Sequence, residues 1–89
     1  MTDARAQLRD GHARLEDMIE EAHLEEARTV ASERPWMKGL EVRDDLREQL
    51  EAHYDRIAEA LTPGERGLRD VLAAKKECAR ASRTLDASR

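Results

Sequence analysis

Phenylalanine is missing from this chain, and Trp36 and Tyr54 are its only large aromatic residues. Ten Leu, two Ile and three Val must therefore supply most of the buried area, because much of the remaining apolar count is alanine. At 89 residues the core is small. A chain of this size buries only about 64% of its unfolded surface. Cysteine occurs once, at Cys78, which excludes an intrachain disulfide and any zinc site built from several thiolates. No run approaches the ~18 to 20 apolar residues of a membrane span, and the amino-terminal MTDARAQLRD lacks the apolar centre of a secretory signal. A protein without a membrane span, in the reducing cytoplasm, is the expectation.

Charge is abundant instead. Asp, Glu, Lys and Arg make up 40% of the residues, a balance typical of long amphipathic helices. The signs are segregated: residues 1 to 61 hold nine Lys/Arg against sixteen Asp/Glu, whereas residues 62 to 89 hold seven against four. Between Leu15 and Ala27 lie Glu16, Asp17, Glu20, Glu21, Glu25 and Glu26 without one cation, a stretch that repels a phosphate backbone.

The clearest periodicity is central. Val42, Leu46, Leu50, His53, Ile57 and Leu61 recur at helical steps and predict a helix over about 40–61. Before it, Leu8, His12, Leu15, Ile19, Ala22 and Val30, with Met18 beside them, predict a first helix from about Asp3 to Glu33. Glu26 interrupts that line, and Leu24, Ala27 and Ala31 form a second stripe rotated away from the first. Gly11, a poor interior helix residue, suggests a close crossing or a frayed first turn. Pro35 denies the helix a donor and biases Arg34 away from the α region, so a turn is expected over 34–39, with Gly39 as its second flexible point. Thr62, Pro63 and Glu65 make a capping box with proline at the first helical position, opening a third helix over about 63–84. Its second half offers mostly Ala and Ser, so a frayed tail at 85–89 and a detachable basic helix are expected.

These elements predict one all-α domain over 1–89, an antiparallel helical hairpin plus a third helix, as a three-helix bundle or a coiled-coil-like arrangement. A first helix of ~30 residues would be about 45 Å long. That exceeds the ~31 Å diameter expected of a compact chain of this length. Its overhanging stripe would need a partner helix or a second copy, so completion by dimerisation or by a partner is expected.

Chemical sites are scarce in the pattern. Glu20 and His23 form a single Glu-x-x-His, and the second copy that a di-iron site needs is missing at His53, so no metal or cofactor is expected. A chorismate-mutase-like site would require convergent cations, whereas Arg14, Arg28 and Lys38 lie scattered in an acidic stretch. Lys75 and Lys76 stand within a turn of Cys78, but no nearby histidine offers a base, so a small buried filler is expected there. His12 and His53 fit core positions. In the last helix Arg66, Arg69, Lys75, Lys76, Arg80 and Arg83 read as spread around the axis, which makes nucleic acid an unexpected partner. No catalytic residue is assigned.

The run WMKGLEVRDDLREQL, with Trp36, Leu40, Glu41, Arg43, Leu46 and Leu50, resembles the Trp-x-x-Leu, Leu-Glu and Arg-x-x-Leu-Leu pattern of flagellar export chaperones of the FliT and FlgN kind. LTPGERGLRDVLAAKKE is similar to their turn into a last helix. That resemblance implies an all-helical cytoplasmic chaperone that covers an apolar segment of an export substrate, with a mobile last helix guarding the groove. The residues themselves favour a non-enzymatic protein-binding module or adaptor whose contacts are Leu24, Trp36, Met37, Tyr54, Val71 and Leu72. A homodimeric or higher coiled-coil structural protein is the alternative, and a nucleic-acid-associated regulator the third reading.

Overall fold

The first apolar line builds a helix of 17 residues rather than thirty: α1 spans Ala4–Glu20. The structure, a computed structural model, describes residues 4–61 and 68–87. Beyond α1 follow α2 (Leu24–Glu33), a single turn of 3₁₀ helix (Pro35–Met37), α3 (Asp44–Ala60) and α4 (Leu68–Ala87). The fold is all-α, and the described residues contain no strand. No helix among them is long and apolar enough to cross a membrane.

The break after Glu20 corrects the expectation of one helix over 3–33. Ala22 adopts a left-handed conformation with φ 62°. His23 N–H donates to the Met18 carbonyl at 2.8 Å, and Ala22 N–H to that of Ile19 at 3.1 Å. This is a Schellman stop, with alanine in the place usually given to glycine. Ala22 is exposed, so it does not belong to the buried line. The Leu24, Ala27 and Ala31 stripe belongs instead to a second helix, in which Ala27 and Ala31 are buried.

Reversal at Ala22 removes the overhang. The longest dimension of the molecule is 41 Å, shorter than the continuous first helix would have been. Ion pairs fix the course of the chain: Arg9 meets Asp86 at 3.2 Å and Glu20 meets Lys75 at 3.7 Å, so α1 runs antiparallel to α4. His53 meets Glu77, and Leu46 and Gln49 line a groove with Arg83 and Thr84, so α3 is also antiparallel to α4. Trp36 returns to Gly11, so the α2 segment runs back along α1.

The Pro35 stop lies where the sequence puts it. α2 ends at Glu33, and Arg34 caps it in the left-handed region at φ 49°. The Arg34 side chain donates to the Ala31 carbonyl at 2.8 Å and to that of Glu51 at 3.3 Å, and it pairs with Asp55. That clasp fastens the end of α2 to the middle of α3. Gly39 takes φ 76°, and α3 starts at Asp44 rather than near Leu40.

Two packing expectations are corrected. On α3 the buried line runs through Leu50, Tyr54, Ile57 and Leu61, with Tyr54 in the place assigned to His53. On α4, Cys78 is buried as expected, together with Ala74, Ala81 and Leu85, and the helix continues to Ala87 instead of fraying from residue 85. Small side chains let α4 approach its neighbours closely, and Leu85 closes the end of the core. The capping box at Thr62, Pro63 and Glu65 lies outside the described residues, as do the Asp3 cap and residues 88–89.

Candidate functional site

Gly11 and Trp36 define a largely apolar depression among the described residues. A Cβ on Gly11 would fall inside the indole, with Cδ1 only 2.6 Å away, so the ring lies directly on the backbone of α1. The close approach anticipated at Gly11 is thus made by a side chain and not by a crossing helix. Trp36 meets Tyr54 edge-on, with ring centroids 5.4 Å apart and planes at 87°. Beside the indole runs a groove of about 370 Å³ between α1 and the segment from α2 through the 3₁₀ turn. Met18, Val30, Pro35 and Trp36 supply its apolar lining, and Gln7, Asp10 and Arg14 its polar edge.

Beneath this groove lies a polar contact in the core. His12 Nδ1 is 3.1 Å from the Tyr54 hydroxyl, while His12 Nε2 is 3.7 Å from Glu16 Oε2 and has no hydrogen-bond partner among the described residues. Burial holds the His12 imidazole below its ordinary value of 6.5, against the opposing influence of Glu16 and Asp86. Burial also raises the Tyr54 phenol, so at neutral pH the pair consists of a neutral imidazole and a neutral phenol. Burial, reinforced by Glu16 and Glu77, pushes the Cys78 thiol up to about 12. A thiol held protonated in this way is a poor nucleophile.

Between α3 and α4 runs a second polar seam. Buried Glu77 lies 2.6 Å from His53 Nδ1 through Oε2 and 3.0 Å from Arg80 through Oε1, with Arg56 at 3.6 Å. His53 Nε2 lies 3.2 Å from Thr84 Oγ1, which itself donates to the Arg80 carbonyl at 3.1 Å. Burial acts to raise the Glu77 carboxyl, but the hydrogen bond and charge of His53, with Arg80 and Arg56, outweigh it and hold it low. Such a network fixes the register of two helices.

The chain matches no protein-family profile, no curated protein and no solved structure.

The six expected contact residues fall in two places. Trp36, Met37 and Tyr54 cluster at the Gly11 end, but Met37 and Tyr54 are core residues, 3% and 0% exposed. Leu24, Val71 and Leu72 lie toward the end that holds the α1–α2 turn, where Glu20 pairs with Lys75. About 14 Å of α1 separates the two ends. Leu72, at 47% exposure, is the one exposed large hydrophobic residue among those described. Glu20 and His23 are not brought together: Glu20 faces Lys75, and His23 lies 3.8 Å from Glu21. Arg14 and Lys38 edge different grooves, so the two cations do not converge.

Sequence reasoning overlooked Glu77 and the Met18–Val30–Pro35 lining. The only sequence signal at Glu77 is that it is the single acid between Asp70 and Asp86. The lining left none, because it exists only once α2 folds back on α1.

Proposed function

We propose that the chain is a non-enzymatic helical module that binds another protein, accepting an apolar turn of the partner's amphipathic helix in the groove beside Trp36. The observation that carries this reading is the pairing of a half-buried indole with Met18, Val30 and Pro35 along an opening of about 370 Å³. That volume holds a few apolar side chains, and tryptophan is the residue type most enriched where such contacts are tight. Asp10 and Arg14 at the edge suit a helix carrying both charges.

By its resemblance to the export chaperones, the partner is an apolar segment of an export substrate and the setting is the cytoplasm. The last helix departs from that family's pattern in one respect. Ala74, Cys78, Ala81 and Leu85 are core residues, and in this reading α4 remains docked while the partner binds.

Trp36 is the only tryptophan, which makes its fluorescence a direct reporter. A panel of amphipathic helical peptides of differing charge is titrated into the protein. Saturable change in Trp36 emission, abolished by Met18→Asp with far-UV helicity retained and unaffected by Leu72→Asp, supports the groove. No saturable change with any peptide, or one that Met18→Asp leaves intact, contradicts it.

A further inference from the structure

The cations of α4 are not spread around the helix. At about 100° per residue, Arg69, Lys76, Arg80 and Arg83 fall within a sector of roughly 60° that contains no acid. All four are exposed. The impression of scatter comes from Lys75, which turns toward Glu20, and from Arg66, outside the described residues. The cationic stripe is about 21 Å long.

On α3, Asp44, Glu48, Glu51, Asp55 and Glu59 likewise fall within roughly 80° of arc without a cation, over about 22 Å. The two helices are neighbours, joined through His53 and Glu77, yet neither stripe lies on that seam: the cations of α4 and Asp44, Glu48, Asp55 and Glu59 of α3 are exposed, while Glu51 is half-buried beside the end of α2. Arg80 is paired with Glu77 and Asp55 with Arg34. Arg69, Lys76 and Arg83 on one side, and Asp44, Glu48, Glu51 and Glu59 on the other, make no ion pair among the described residues.

We propose that the basic outward face of α4 docks on the acidic outward face of α3 in a second copy of this chain. Length and register favour that occupant: acids at 44, 48, 51, 55 and 59 and cations at 69, 76, 80 and 83 allow each cation to meet an acid within one residue. The exposed acids of α2 cannot serve as well, since that helix has only 10 residues. Leu72 and Ala73 flank the cations, giving the contact an apolar edge and room for close approach. Net charge of −4 and the acid-rich α1–α2 turn oppose a nucleic acid on the same molecule. An interface made chiefly of exposed ion pairs is weak and strongly salt-dependent. The pairing is heterologous between helices, so it closes into a dimer if both faces engage at once and otherwise extends head to tail.

The test is sedimentation velocity with the full chain across a concentration series, at about 20 mM and about 500 mM NaCl. Expected is a mass above the monomer at low salt, with the apparent dissociation constant at least about tenfold weaker at high salt. R69E/K76E/R83E and E48K/E51K/E59K should each be monomeric with helicity retained, and an equimolar mixture of the two should regain the association. A wild type that stays monomeric at low salt overturns the proposal. So does association that survives both reversals, or a mixture of two helical variants that fails to recover it. Retention of a short DNA duplex, lost in R69E/K76E/R83E and without self-association, gives the face to nucleic acid and equally overturns the proposal.

Discussion

The indole of Trp36 rests on Gly11, in the space that a β-carbon there would occupy. A residue in the middle of α1 and a residue after α2 thus share one volume, and the α1–α2 hairpin is closed by that contact.

Gly11→Ala should therefore destabilise the protein, although alanine improves helix propensity by about 1 kcal/mol at an interior site. Displacing an indole against packed neighbours costs about 1 to 3 kcal/mol. Urea unfolding gives the net sign, and Trp36 emission should shift to the red in the native state of the variant.

Acid stability should fall in two stages. His12 has a folded pKa below its ordinary value, so its contribution is intact above about 6.5 and is lost as the pH falls from there through the folded value. Glu77, also depressed, contributes above its ordinary value of 4.5 and loses that contribution as the pH falls through its lower folded value. Urea midpoints measured from pH 8 to pH 3 should show both, and His12→Gln should remove the first while leaving the second.

Cys78 should resist thiol reagents in the native protein. Its ordinary value is 9.0 and its folded value about 12, which lowers the thiolate fraction about a thousandfold before burial restricts access. Labelling with an aromatic disulfide at pH 8 should follow global unfolding. The raised value also means that its stabilising contribution is complete below about 9.0 and declines as the pH rises through about 12.

Leu85 and Leu72 offer a contrast within α4. Leu85→Ala should cost about 2 to 5 kcal/mol, because Leu85 is buried at 2% exposure. Leu72→Ala should change stability by no more than about 0.5 kcal/mol, because its side chain already meets solvent. Thermal melts of the two variants decide whether the end of α4 is core or tail.

Much of the helical layout is written in local signals. Pro35 and the Leu50, Ile57 and Leu61 spacing were legible because proline chemistry and a run of branched residues leave few options. The turn at Glu21–His23 was not, because it contains neither glycine nor proline, and its left-handed residue is an alanine. Its trace was the phase slip at Glu26, where the Leu8 line gives way to the Leu24 line. Tyr54 replaces His53 in the core because the side chain with more apolar area wins the buried position, leaving the imidazole to meet Glu77. The groove beside Trp36 depends on the fold-back, so no pattern within either helix could reveal it.

The fold-back itself is tested most directly by Ala22→Gly, with stability measured by urea unfolding followed in the far ultraviolet. Ala22 carries φ 62° at a Schellman stop, where a β-carbon costs about 1 kcal/mol or more and glycine none. A gain of about 0.5 to 1 kcal/mol is the result expected of the hairpin. A loss of about 1 kcal/mol, the usual cost of glycine within a helix, would mean that residues 4–33 form one continuous helix and would contradict the account.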